Sequence, residues 1–339
     1  MTMLTAIIVD ECDSIADILN CGVESYSGIP ALSADVPAIF SGKSIYSTSD
    51  PFTVRLLSNQ AGRTLYVGLW FKTTLFTSAQ SLILITGAAI ASTQCGIGIN
   101  TSGNLIIYRN TTATVLATGT TVLSLDTWHQ LRASIFVNNT TGAVSVYLNG
   151  NPSAEVSVTG ADTQQQTTDE VYLVQYSGIA THLYQPVIFN DQGTKNNAAV
   201  PWTLMHEILH PTSDGATVWT QNTGANAYGA IDEVQGSEDD DTTYLYETST
   251  VKNVMGMEDP AGSVGGVVGV IVNSRMRRGA AGTVGVKVGV KVSTDEAQTS
   301  TIYLPGSYSS RLDVFEYKTG TTVFASADLD SLELTTEHL

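Results

Sequence analysis

His206-Glu-Ile-Leu-His210 has the residue types and spacing of a zinc hydrolase, with two imidazoles at i and i+4 to hold the ion and a glutamate to act on its bound water. That chemistry needs a helix, where the two histidines share one face about 6 Å apart. Pro201 precedes the run and Pro211 follows His210 directly, which biases His210 toward extended backbone. In a strand, at about 3.3 Å per residue, the two histidines stand about 13 Å apart and cannot share an ion. No clear third ligand follows downstream. The expectation is that His206, Glu207 and His210 form no catalytic centre, and zinc proteolysis is kept as the remote alternative.

Carboxylates are the second candidate. Glu238-Asp-Asp-Asp241 stands just before Thr242, Thr243 and Tyr244. Its ordinary role is a solvated turn opening a strand; the other is a cation site, because Asp239, Asp240 and Asp241 are adjacent hard oxygen donors of the kind that collect calcium. Glycoside hydrolysis needs two carboxylates facing across the sugar, about 5 Å apart for retention and roughly 6.5–9.5 Å for inversion. The one-strand pattern E-x-D-x-x-E that would supply them is missing, as are a Gly-rich phosphate loop, a Ser-His-Asp signature and a Cys-His pair. No enzyme activity and no obligatory cofactor are expected, with calcium left open.

The frame that would have to position any such site is acidic and apolar at once. The 339 residues carry 15 Lys and Arg against 32 Asp and Glu, a net charge of −17, yet only 14% are charged and 42% are hydrophobic. That is too apolar for a disordered acidic tail and has the wrong sign for a phosphate backbone, so nucleic acid is excluded as an expected partner. Met1 to Asn20 carries Asp10, Glu11, Asp13 and Asp17 in place of a basic segment before an apolar one, so no signal peptide or anchor is expected. Nor is membrane insertion expected, because no run approaches the roughly 18 apolar residues a spanning helix needs. Cys12, Cys21 and Cys95 lack close metal-ligand spacing; buried free thiols are expected, with a Cys12–Cys21 bridge as the alternative.

Thirty glycines with abundant Thr, Val and Ser point to strands and tight turns. Strand signals recur at Leu65 to Lys72, Leu82 to Gly87, Gly96 to Asn100, Leu105 to Arg109, Trp128 to Val137, Ala143 to Leu148, Ala154 to Val158, Glu170 to Val174 and Leu183 to Phe189. Thr101-Ser-Gly-Asn104, Asn138-Asn-Thr-Thr-Gly142 and Asn149-Gly-Asn-Pro152 read as turns between them. Only Ser14 to Leu19 reads as weakly helical. Further on, Val284, Val286, Val288, Val290 and Val292 alternate with Gly285, Lys287, Gly289 and Lys291, a strand with one buried face. The alternating run Val268 to Met276 precedes it, and Arg277 to Gly282 between them predicts a hairpin. Many short strands at this spacing define an all-β sandwich or jelly roll.

Leu65-Tyr-Val-Gly-Leu-Trp-Phe-Lys72, Trp128-His-Gln-Leu-Arg-Ala-Ser-Ile-Phe-Val137, Val144-Ser-Val-Tyr-Leu-Asn-Gly150 and Leu183-Tyr-Gln-Pro-Val-Ile-Phe-Asn190 follow one another. Their order and spacing resemble the concanavalin A-like, laminin-G-like jelly roll over roughly residues 25–192. Asp214-Gly-Ala-Thr-Val-Trp-Thr220, Tyr228-Gly-Ala-Ile-Asp-Glu-Val234, Asp239-Asp-Asp-Thr-Thr-Tyr244 and Thr319-Gly-Thr-Thr-Val-Phe-Ala-Ser-Ala-Asp-Leu329 are similar to elements of tailed-bacteriophage virion structural proteins. The last element departs from that pattern, with Phe324 where a Trp is usual.

This resemblance implies a concanavalin A-like jelly-roll sandwich followed by a second, smaller antiparallel β-sandwich domain. The expected divisions are an N-terminal segment 1–24, the jelly roll 25–192, a connecting region 193–228 and the C-terminal domain 229–339. It further implies a noncatalytic structural component of a virion, as head decoration, fibre or tail-associated protein, assembled in the host cytoplasm with other virion proteins. A homo-oligomer is expected, first of all a trimer. The alternative is a glycan- or receptor-binding adhesion module of the tail meeting a host-surface glycan. For that role Tyr108, beside the Asn110 loop, is the candidate exposed ring. Trp70 and Trp128 are expected in the core, and Trp202 and Trp219 in the connecting region, wedged between the domains.

Overall fold

Alternation sets each strand's two faces, and the strands of the first half show it plainly. Along Thr64–Thr73, Leu65, Val67, Leu69 and Phe71 are buried, while Tyr66, Trp70 and Lys72 on the other face are partly exposed. The computed structural model describes residues 5–6, 25–27, 31–38, 43–47, 52–58, 64–87, 93–164, 172–190, 209–216, 218–224, 226–231, 242–260, 267, 269–279 and 283–339. The chain divides into two compact units, Met1–Met205 and His206–Leu339.

The first unit contains β1 (Thr5–Ala6), β2 (Ser25–Ser27), β3 (Ala31–Ser33), β4 (Ser44–Ser47) and β5 (Phe52–Ser58). There follow β6 (Thr64–Thr73), β7 (Gln80–Gly87), β8 (Thr93–Ile99), β9 (Asn104–Arg109) and β10 (Val115–Val122). Last come β11 (His129–Phe136), β12 (Gly142–Leu148), β13 (Val156–Ala161), β14 (Tyr172–Gly178) and β15 (Thr181–Asn190). They form two antiparallel sheets, β13-β12-β11-β6-β15-β4-β3, with β1 also on β15, and β10-β9-β8-β7-β14-β5-β2. Ile45, Val67, Phe71, Leu131, Val146 and Leu183 from the first and Ile83, Ile97 and Ile107 from the second fill one core. The fold class is all-β, as expected.

The expected turns close its hairpins. Gly103 (φ 81°) donates from its N–H to the Asn100 carbonyl between β8 and β9, and Asn149 and Gly150 (φ 50° and 75°) begin the return from β12. At the open edges, β10 bulges between Thr118 and Val122, and Glu155 takes up the amides this releases. Its Oε1 accepts from Thr120 N and Thr121 N, both at 2.7 Å, and its Oε2 from Thr121 Oγ1 at 2.7 Å. A Cβ at position 119 would stand 2.7 Å from that Oε1, so Gly119 makes the approach possible.

In the second unit, β16 (Pro211–Asp214), β17 (Thr220–Gln221), β18 (Leu245–Tyr246), β19 (Lys252–Met257), β20 (Val270–Met276) and β21 (Gly285–Val292) come first. β22 (Asp295–Gln298), β23 (Ile302–Tyr303), β24 (Ser309–Phe315), β25 (Tyr317–Thr319), β26 (Thr322–Val323) and β27 (Leu332–His338) complete it. A six-stranded sheet runs β16-β19-β27-β21-β22 with β23 on β21, and two-stranded pairs stand beside it. Val272, Val288, Val290, Val292, Phe315, Phe324 and Leu332 make its core. β16 and β17, within the expected connecting region 193–228, pair inside this unit.

The expected hairpin of residues 268–292 does not form. β20 pairs instead with β24, from Val270 opposite Phe315 to Met276 opposite Ser309. Both edges of β21 are taken, one by β27 and the other by β22 and β23. The valines of the two runs therefore meet in one core from different sheets rather than side by side.

Candidate functional site

The outward face of the first unit's eight-stranded sheet gathers rings and charges from five places in the chain. β6 supplies Lys72, β15 supplies His182 and Tyr184, and β4 supplies Ser44 and Tyr46. Cross-strand register sets them side by side: His182 lies opposite both Lys72 and Tyr46, and Tyr184 opposite Trp70. Trp128 comes from the residue before β11, and Asp35 from the turn after β3.

Asp35 ties the cluster together. Its carboxylate accepts from Trp128 Nε1 at 3.1 Å through Oδ1 and forms an ion pair with Lys72 through Oδ2. Lys72 also stands 5.6 Å from the Trp128 ring centroid, a cation–π contact. Tyr46 stacks on the His182 ring at 4.0 Å between centroids and 20° between planes, and Trp128 meets His182 and Tyr184 edge-on at 5.8 and 6.3 Å. Tyr184 and His182 are buried, Trp128 and Tyr46 half-buried, while the Asp35 side chain is 41% exposed. The accessible part is thus a carboxylate beside two partly open rings.

Ser44 fixes the histidine. Its hydroxyl donates to the Asp35 carbonyl at 2.6 Å, which uses its one proton, so the 3.1 Å contact with His182 Nδ1 is an imidazole N–H donating to Ser44 Oγ. Burial first, then the Lys72 charge, lower the His182 pKa to about 4, with the Asp126 carboxylate opposing. The ring is neutral at neutral pH, and Nε2, 3.8 Å from Asp35 Oδ2, holds a lone pair. Burial also lowers the Lys72 pKa, again against the pull of Asp126.

The residues singled out from sequence fall elsewhere. Tyr108 is only 1% exposed: its ring lies along the sheet over Gly96, where a Cβ would collide with it, and its hydroxyl donates to Ser81 Oγ at 2.6 Å. It cannot stack on a sugar, and Trp128, expected in the core, is the ring that stands at an accessible cluster. Cys95 is a buried free thiol whose pKa burial raises to about 12. His210 leads into β16 with extended hydrogen bonding, its N–H to Glu258 Oε1 and its carbonyl to Glu258 N, both at 2.9 Å. Trp219 binds back onto its own unit, through Nε1 to the Val251 carbonyl at 3.0 Å. His206, Glu207, Trp202, Cys12, Cys21, Ser14 to Leu19 and Asp239 to Asp241 lie outside the described residues. Among the described residues, no three His, Cys, Asp or Glu side chains gather as a metal site would require, and no helix is long and apolar enough to cross a membrane.

Asp35, Lys72, His182 and Tyr46 were not singled out by sequence reasoning. A signal did exist in the outward positions of the strands: Tyr66, Trp70 and Lys72 on one, His182 and Tyr184 on another, Ser44 and Tyr46 on a third. Rings and hydrogen-bonding groups repeat there where a solvated sheet would carry small polar residues.

No family model matches the chain, and no curated protein matches it. Among solved structures, lectin II from Ulex europaeus is similar at 7% identity over 56% of this chain and 98% of that one, with a TM-score of 0.40. Domain 4 of an extracellular arabinanase from Geobacillus stearothermophilus is similar at 17% identity over 56% and 81%, with a TM-score of 0.35. A sialidase from Trypanosoma rangeli is similar at 10% identity over 47% and 26%, with a TM-score of 0.34. These likenesses are too distant to assign a ligand or a role.

Proposed function

We propose that the first unit is a noncatalytic glycan-binding module whose site is the Trp128–Tyr46–Asp35–Lys72 cluster. The observation that carries this is the half-buried Trp128, held in place by its own N–H bond to Asp35. A sugar presents an apolar C–H face and a rim of hydroxyls, and it is bound by a preorganised ring together with a few fixed polar groups. Asp35, whose two oxygens are already aligned by Trp128 and Lys72, keeps lone pairs for hydroxyl donors.

The setting we propose is adhesion by a tailed-bacteriophage virion, the second unit joining the module to other virion proteins. What supports this is the sequence likeness of its elements, including Thr319 to Leu329, which runs from the end of β25 through β26 into the 3-10 turn Ser326–Ser331 and carries the buried Phe324. A glycan array followed by calorimetry on the best ligand tests the reading. Saturable binding that Trp128→Ala weakens by about thirtyfold or more is expected, and the lack of saturable binding to any glycan would overturn the reading.

A further inference from the structure

Charge at the cluster has a sign. Lys72 is the cation in contact with it, and Asp35 already engages that charge. Asp126 adds a second carboxylate near enough to act electrostatically on both Lys72 and His182. It is exposed, on the turn before Trp128, with its backbone N–H bonded to the Thr73 carbonyl at 2.9 Å. His182 contributes no charge at neutral pH. Among these described residues, the balance beside the open rings is therefore one cation against two carboxylates, on a chain of net charge −17.

A guanidinium would be the natural partner for a sugar carboxylate or sulfate, because it meets either with two parallel N–H bonds. The arginine on this face, Arg132, is 3% exposed, stands over Tyr147 at 5.2 Å and lies opposite Gly68. Gly68 is four residues along β6 from Lys72, about 13 Å at strand rise.

We propose that the cluster selects neutral glycans and rejects uronic-acid or sulfated ones, with Asp126 as a residue that sets the discrimination. This inference rests on the glycan-binding reading above. An acidic sugar over Trp128 would bring its anion towards Asp35 and Asp126, with no arginine among the described residues of this face placed to receive it. A neutral sugar meets the same carboxylates as hydroxyl acceptors. Because Lys72 offsets one of the two carboxylates, one net like charge at contact distance in water remains, which corresponds to a preference of roughly fivefold for the neutral member of a matched pair.

The experiment is calorimetric titration of the full chain with matched oligosaccharides that differ only in a carboxylate or sulfate. Wild type should bind the neutral member about fivefold tighter, and raising the salt to about 1 M, where the Debye length is about 3 Å, should narrow the ratio. Asp126→Asn should narrow it by about threefold or more; asparagine tolerates the positive φ of 54° at this position, so the fold is kept. Equal or tighter binding of the acidic member overturns the selectivity while leaving the glycan reading intact. So does a ratio that Asp126→Asn leaves unchanged, which would move the discrimination to another residue. Failure of wild type to bind either member overturns the glycan reading and this inference with it.

Discussion

Both units present a broad antiparallel sheet face away from their core, and the two faces are built on opposite plans. On the second unit's six-stranded sheet, charges answer one another across the register: Lys291 pairs with Glu333 directly opposite, and Lys252 Nζ reaches Glu296 at 2.7 Å. Glu296 also accepts from Thr335 Oγ1 at 2.8 Å and from Gln298 Nε2 at 3.1 Å. Such a ladder satisfies itself and keeps a flat face soluble. On the first unit's face, one carboxylate serves an indole and an ammonium together, and two rings, Tyr46 and Trp128, lean on a neutral histidine. The difference teaches where to look for function: polar groups closed among themselves make a surface, whereas rings held half-open beside a carboxylate make a site.

The largest test of this contrast is acid. Burial and the Lys72 charge hold the folded-state pKa of His182 to about 4, below the ordinary histidine value of 6.5, so the unfolded chain binds the extra proton first as pH falls. The first unit should lose stability between about pH 6.5 and pH 4, by up to about 3 kcal/mol, and be insensitive to this group above that window. Thermal melts across the range should show the slope in wild type and a flatter one in His182→Gln. Next in size, Trp128→Ala should weaken glycan binding by about 2 kcal/mol or more, roughly thirtyfold, while Lys291→Ala leaves it unchanged.

The second face can be broken too. A Cβ at position 289 would stand 2.5 Å from Thr335 Oγ1 and 2.7 Å from the Ala297 carbonyl. Gly289→Ala should therefore destabilise the second unit by about 1 kcal/mol or somewhat more, read as a shift of its own denaturation midpoint. Smallest of all, Lys291→Ala should cost a few tenths of a kcal/mol, and less in high salt, because its ion pair is partly exposed. A loss much larger than that would mean the ladder is more than a solvated face.

Much of the first unit was legible in its sequence because period two is a local signal: the run from Leu65 to Lys72 becomes β6 with one residue added at each end. The site was not legible because it is a product of register. Asp35 lies 37 residues from Lys72 and 93 from Trp128, and Ser44 lies 138 from His182. Tyr108 was misplaced for the same reason, since the neighbour that lets its ring lie flat is Gly96 on the adjoining strand. In the second unit, the valines of β20 and β21 carried their burial in the sequence but not their partners. Glu333 and Glu337, which answer Lys291 and Lys287, sit in Leu332–His338, a polar run with little strand character.

Glu155 gives the outer margin of the first sandwich a guard. An unpaired border strand is an invitation to a foreign one, and the amides of Thr120 and Thr121 are the groups such a visitor would seize. Burial pushes the Glu155 pKa up, but the threonine hydrogen bonds outweigh it and hold it below the usual carboxylate range. The guard thus stands at every pH where the carboxylate is ionised. It lapses in acid, once the carboxylate is protonated, and then leaves the border amides open to a foreign strand.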